Sequence, residues 1–104
     1  MNIDMTQMLV NPDGSPIEDG LTLSKVSFQV LWNPIRGDEN TGADVKARCG
    51  QLAIKIADKE VVDLSAEEIS LIKERVGRAI AHPGVVLRVN TLLDPPGPKA
   101  VEAA

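Results

Sequence analysis

The sequence predicts a small α+β domain that is mainly helical, with an N-terminal β-hairpin followed by a bundle of three to four helices. Three observations carry this. The stretch Leu64–Ile80 has apolar residues at helical spacing behind a capping signature, Asn11-Pro12-Asp13-Gly14 reads as a tight turn, and Pro95, Pro96 and Pro98 end regular structure near the C-terminus. With 104 residues the chain has the length of one domain. The expected boundaries are 1–94 for the globular part and 95–104 for a flexible Pro/Ala-rich tail.

From the N-terminus, Met5, Met8, Leu9 and Val10 lead into the Asn11–Gly14 turn, where Pro at the second position and Gly at the fourth suit type I geometry. Pro16 cannot donate a ladder bond, so the returning strand must be short or at an edge. The alternative is a loose arm with one turn.

Leu21–Trp32 fits two patterns. Val26, Phe28, Val30 and Trp32 alternate as in a strand, and the residue types favour that. Leu23, Val26, Val30 and Leu31 also share a helical face, with Thr22 placed as N-cap. Asn33-Pro34 closes the segment either way. After a polar loop, Thr41 is a candidate N-cap for a helix whose apolar face is Val45, Cys49, Leu52, Ala53 and Ile56. Gly50 inside it costs about 1 kcal/mol relative to Ala. Val61 and Val62 suggest a short extended piece.

The 64–80 helix is the best defined. Ser65 and Glu68 form a capping box, Leu64 and Ile69 are placed as a hydrophobic staple, and Ile69, Ile72, Val76, Ala79 and Ile80 make one apolar face. It is expected to be the surface on which the weaker segments gather. Pro83 at a first helical position, followed by Val85, Val89, Leu92 and Leu93, suits a last short helix, though Val85–Val89 also reads as a strand.

The composition narrows the chemistry. Phe28 and Trp32 are the only aromatic side chains besides His82, so stacking platforms for bases or sugars are nearly absent. A net charge of −4, without a strong split between the halves, argues against a general nucleic-acid binder. Cys49 is the single cysteine, which fits a reducing compartment, and no run is long enough to span a bilayer. A cytoplasmic protein is expected.

No catalytic motif emerges. Cys49 and His82 are the one pair able to form a thiolate–imidazole dyad, but Cys49 lies on an apolar helix face, where a buried inert thiol is usual. One Cys and one His are too few for a structural zinc site. Asp58, Glu60, Asp63, Glu67 and Glu68 lack EF-hand spacing and are better read as acids complementing a helix N-terminus. Phosphate-binding glycine loops are absent, and the Gly37–Gly42 loop is too acidic to cradle an anion. The expectation is no enzyme, no cofactor and no metal.

The candidate partner-binding residues are Trp32, Ile35, Arg75 and Arg78. Trp32 exposed beside Ile35 would anchor an interface, whereas Trp32 in the core would fill space in a domain short of large residues. Lys73, Arg75, Arg78 and Arg88 make the densest basic cluster, but Glu67 and Glu74 are interleaved, as on an ordinary solvated face.

Leu21-Thr22-Leu23 and the run from Asp63 to Lys73, DLSAEEISLIK, resemble a group of small proteins encoded by tailed bacteriophages and prophages, with the likeness running from about Asp13 to Asp94. The shared residues are capping and packing signals, and the group has no assigned activity. The resemblance implies a helical 22–32 segment and a phage setting, in the bacterial cytoplasm or the virion. The expected role is that of a non-enzymatic interaction protein in particle assembly, through self-association or another protein. The alternative is a small regulator that docks on a host protein or on DNA.

Overall fold

The computed structural model describes residues 1–93, so the expected tail at 95–104 lies outside the described residues. The order is β1 (Asn2–Asp4), α1 (Leu23–Trp32), a 3₁₀ turn (Asp38–Asn40), α2 (Ala43–Ile56), β2 (Val61–Asp63), α3 (Ala66–Ala79) and α4 (Pro83–Leu93). This is the expected small α+β domain, mainly helical, with four α-helices.

The N-terminal turn forms as the sequence requires. Gly14 N–H donates to Asn11 O at 2.9 Å, and Gly14 takes φ +90°, open to glycine at little cost. Asp13 Oδ1 accepts from the Ser15 amide and hydroxyl at 3.0 and 2.7 Å. Val10 and Pro16 bridge across the turn as an isolated pair, which suits a proline that cannot extend a ladder. The regular antiparallel ladder is formed elsewhere, where β1 pairs with β2 in the register Ile3↔Val62. Ile3 and Val62 point into the core while their neighbours face out.

Helix wins in the 22–32 segment. Thr22 Oγ1 accepts from the Lys25 amide at 3.2 Å, and the buried set is Leu23, Val26, Ser27, Val30 and Leu31. That is a helical stripe, and its burial overrides the strand preference of the individual residues. In α2, Cys49, Leu52, Ala53 and Ile56 are buried as expected. The expected cap is corrected: Gly42 is the N-cap and makes no side-chain bond, while the Thr41 hydroxyl turns back toward Gly37 O and Asp38 Oδ1.

At the start of α3 the capping box is complete, with Glu68 N–H donating to Ser65 Oγ at 3.2 Å and Ser65 N–H to Glu68 Oε1 at 2.8 Å. Leu64, Ile69, Ile72 and Val76 are buried. In α4, Pro83 opens the helix, and Val85, Val89 and Leu93 face the core, which resolves the 85–89 stretch as helix.

α3 does not gather every segment. It packs against α1 and α4, while α2 docks on α1. α2 and α3 are not packed on each other along their length, so α1 is the hub on that side and a groove runs between its two partners. The core is aliphatic, joined by Met5, Leu9 and Cys49. Burying each large side chain contributes about 2 kcal/mol.

Candidate partner-binding site

The sequence explains why the end of α1 needs help. In a continuing helix, the carbonyl of Val30 would accept from the amide of residue 34, but Pro34 has no N–H. α1 also lacks a basic residue in its last turn to complement its negative end. Arg75 of α3 supplies both. Its Nε donates to Val30 O and its Nη2 to Asn33 O at 3.1 Å.

Such a buried guanidinium needs a counter-charge, and the Gly37–Asp38 turn provides it. Asp38 receives a two-pronged contact from Arg75, Nη1 to Oδ1 at 2.9 Å and Nη2 to Oδ2 at 3.0 Å. Oδ2 also accepts from the Ile35 amide at 2.9 Å. The Arg75 hydrogen bond is the main reason the Asp38 carboxyl is held down to about 2. Burial works against the charge of Arg75, yet the Asp38 hydrogen bond and the surrounding charges together outweigh it, and the guanidinium pKa is raised. Gly37 has φ +88°, and a Cβ there would stand 3.0 Å from Arg78 Nη1, so a glycine is needed to bring Asp38 in.

The candidate residues therefore separate. Arg75 is only 2% exposed, and its donors are used inside the fold. This corrects its assignment to a partner-binding basic face. Arg78 is half-buried and held from three sides, by Glu74 at 2.8 Å, Arg36 O at 3.1 Å and Asp38 at 3.7 Å.

Trp32 takes the other course. It is 55% exposed, so it does not fill the core. Phe28, one turn earlier, stacks beneath it with ring centroids 5.9 Å apart and planes 17° from parallel. Trp32 shares a surface cleft of about 410 Å³ with Leu31, Pro34, Ile35, Lys46 and Cys49. Trp32 and Ile35 thus line the same cleft. The Arg75–Asp38 pair fixes the loop that carries Ile35.

The reactive candidates Cys49 and His82 each serve the fold. Cys49 is buried, and burial pushes its thiol pKa up, away from nucleophilic character. His82 Nδ1 accepts from the Gly84 and Val85 amides at 3.0 and 3.4 Å, capping α4. Among the acids, Glu68 is engaged by Ser65 and Lys55, and Asp63 receives the N-terminal ammonium at 2.8 Å. Among the described residues, no three His, Cys, Asp or Glu side chains come close enough to hold a metal ion. No helix among them is long and apolar enough to cross a membrane.

Asp38 was missed as a structural residue. Pro34 four residues after Val30 announces an orphaned carbonyl, but nothing in the sequence identifies its donor or that donor's counter-ion. No family model, curated protein or solved structure matches the chain.

Proposed function

We propose that this protein is a non-enzymatic protein-interaction module of the phage or prophage type, acting in particle assembly, with Trp32 as its contact anchor. One observation carries the reading: a tryptophan stands more than half exposed at the end of α1, stacked on Phe28 and lining a cleft that includes Ile35. Tryptophan on a fixed backbone buries a large area at little conformational cost, which is why it is enriched at binding hot spots. DNA docking by the Arg75 and Arg78 face has less support, because Arg75 is internal and Arg78 is already engaged.

Trp32 is the only tryptophan, so its fluorescence reports this site directly. The free protein is expected to show the red-shifted emission of a solvated indole. A bound particle protein, purified from induced cells, is expected to shift it to the blue. Trp32→Ala is expected to abolish that binding while costing only about 1 kcal/mol of stability, the loss of its stacking on Phe28. Equal capture of particle proteins by wild type and Trp32→Ala would refute the anchor.

A further inference from the structure

The cleft beside Trp32 has a wall of a recognisable kind. The indole is exposed, Phe28 stacks on it, and Pro34 and Ile35 line the same cleft. Aromatic-walled grooves accept proline-rich segments, whose backbone is preset to the polyproline conformation and loses little entropy on docking. Besides the Arg75–Asp38 pair, the cleft carries one charge of each sign, Lys46 and Glu39. Both are exposed, and neither has an ion-pair partner among the described residues. The chain contains one segment that matches this wall and these charges. Asp94-Pro95-Pro96-Gly97-Pro98-Lys99, outside the described residues, sets three prolines between an acid and a base.

We propose that the Trp32 cleft takes the Pro95–Pro98 segment of a second copy of this chain. This rests on the Trp32 reading above and names the segment that Trp32 contacts. The prolines lie against the indole and Ile35, with Asp94 toward Lys46 and Lys99 toward Glu39. The reach of the chain rules out the same copy. α4 follows α3 after Ile80–His82 and folds back onto it, so Leu93 lies toward the start of α3. Arg75 holds Val30 and Asn33, and with them Trp32, toward the end of α3. The two levels differ by about 10 Å along the helices. α1 and α4, both packed on α3, stand at least about 8 Å apart sideways. Pro95 and Pro96 extend only about 7 and 10 Å beyond Leu93, too short to lie over their own Trp32. Each copy therefore offers one cleft and one segment, which is head-to-tail association. The contact is smaller than the roughly 800 Å² per partner of a standard interface, so half-maximal association is expected at about 100 μM.

The test follows Trp32 emission and sedimentation velocity of the full chain together, from about 5 to about 500 μM. As wild type is concentrated, its emission is expected to move to the blue while its mass rises. The midpoint should move up about threefold between about 50 mM and about 500 mM NaCl. The triple variant Pro95→Ser, Pro96→Ser, Pro98→Ser should stay monomeric and red at every concentration, and Trp32→Ala should stay monomeric. Trp32→Ala keeps its segment and the triple variant keeps its cleft, so mixing the two should restore the blue shift. If Trp32→Ala loses its helical circular dichroism, a synthetic peptide of residues 94–104 takes its place as donor. A wild type that stays monomeric and red at the highest concentration overturns the inference. So does association that survives the serine replacements, a mixture that stays red, or a blue shift that does not depend on concentration. Capture of particle proteins is measured separately, so a wild type that captures them through Trp32 without self-associating defeats this inference alone.

Discussion

The two flanks of α3 make opposite use of charge. Toward α1, one arginine is driven inside, where it satisfies two backbone carbonyls and a carboxylate. Toward α2, arginine, lysine and glutamates stay in water above an open groove. The residue types are the same on both sides. What differs is the neighbouring backbone. Pro34 leaves the Val30 carbonyl without an amide, and an orphaned carbonyl at a buried helix end makes a burial site for a guanidinium. α2 closes with the same kind of bond as α1, Ala57 N–H on Ala53 O against Asn33 N–H on Gln29 O, but the residue after its cap is Asp58, which keeps its N–H, and not a proline.

The sharpest way to break this contrast is to remove one partner on the closed flank. Asp38→Asn leaves Arg75 buried without its counter-charge and should cost about 3 kcal/mol, read as a lower urea midpoint. Arg48→Met on the open flank should stay within about 0.5 kcal/mol. Equal effects from the two would erase the distinction.

Acid probes the same pair without mutation. Asp38 titrates at about 2 in the folded chain, against about 4 when unfolded. As pH falls, the unfolded state takes up the proton first. The stabilisation from this carboxylate is therefore whole above about pH 4 and is lost as pH drops through about 2. Thermal melts at pH 5, 3 and 2, approximate settings around that window, should show the fall in wild type and a shallower fall in Asp38→Asn.

Smaller effects sharpen the comparison further. Gly37→Ala forces a side chain into left-handed backbone and toward Arg78, and should cost about 1 kcal/mol. Ser65→Ala removes one side of the capping box and should cost about 1 kcal/mol as well. Only Gly37→Ala should also disturb Trp32 emission on partner binding, because only that change acts on the loop holding Ile35. Asp58 sits at φ 58° just after α2, so Asp58→Gly should add about 0.5 kcal/mol of stability.

Local signals in the sequence were sufficient for several elements. Ser65 with Glu68, Thr22 before Leu23 and Pro12 with Gly14 each act within four residues, so their outcome is written in neighbouring positions. Apolar spacing likewise determined which face of each helix turns inward. The choice of helix over strand at 22–32 was not settled by spacing, because Val26 and Val30 belong to both patterns.

The tertiary structure alone decided the fate of the charges and of the tryptophan. Arg75 and Arg78 are three residues apart on one helix with the same side chain, yet one is internal and the other half-buried. Which of them is buried depends on the Val30 carbonyl, 45 residues away in the chain. Trp32 lies outside because the stripe Leu23, Val26, Val30 and Leu31 already fills the inner face of α1. The short ladder pairs Ile3 with Val62 for a similar reason, since both are covered only after the helices assemble. Capping and periodicity are properties of a segment. The burial of a charge or an aromatic ring depends on what a distant segment leaves unsatisfied or uncovered.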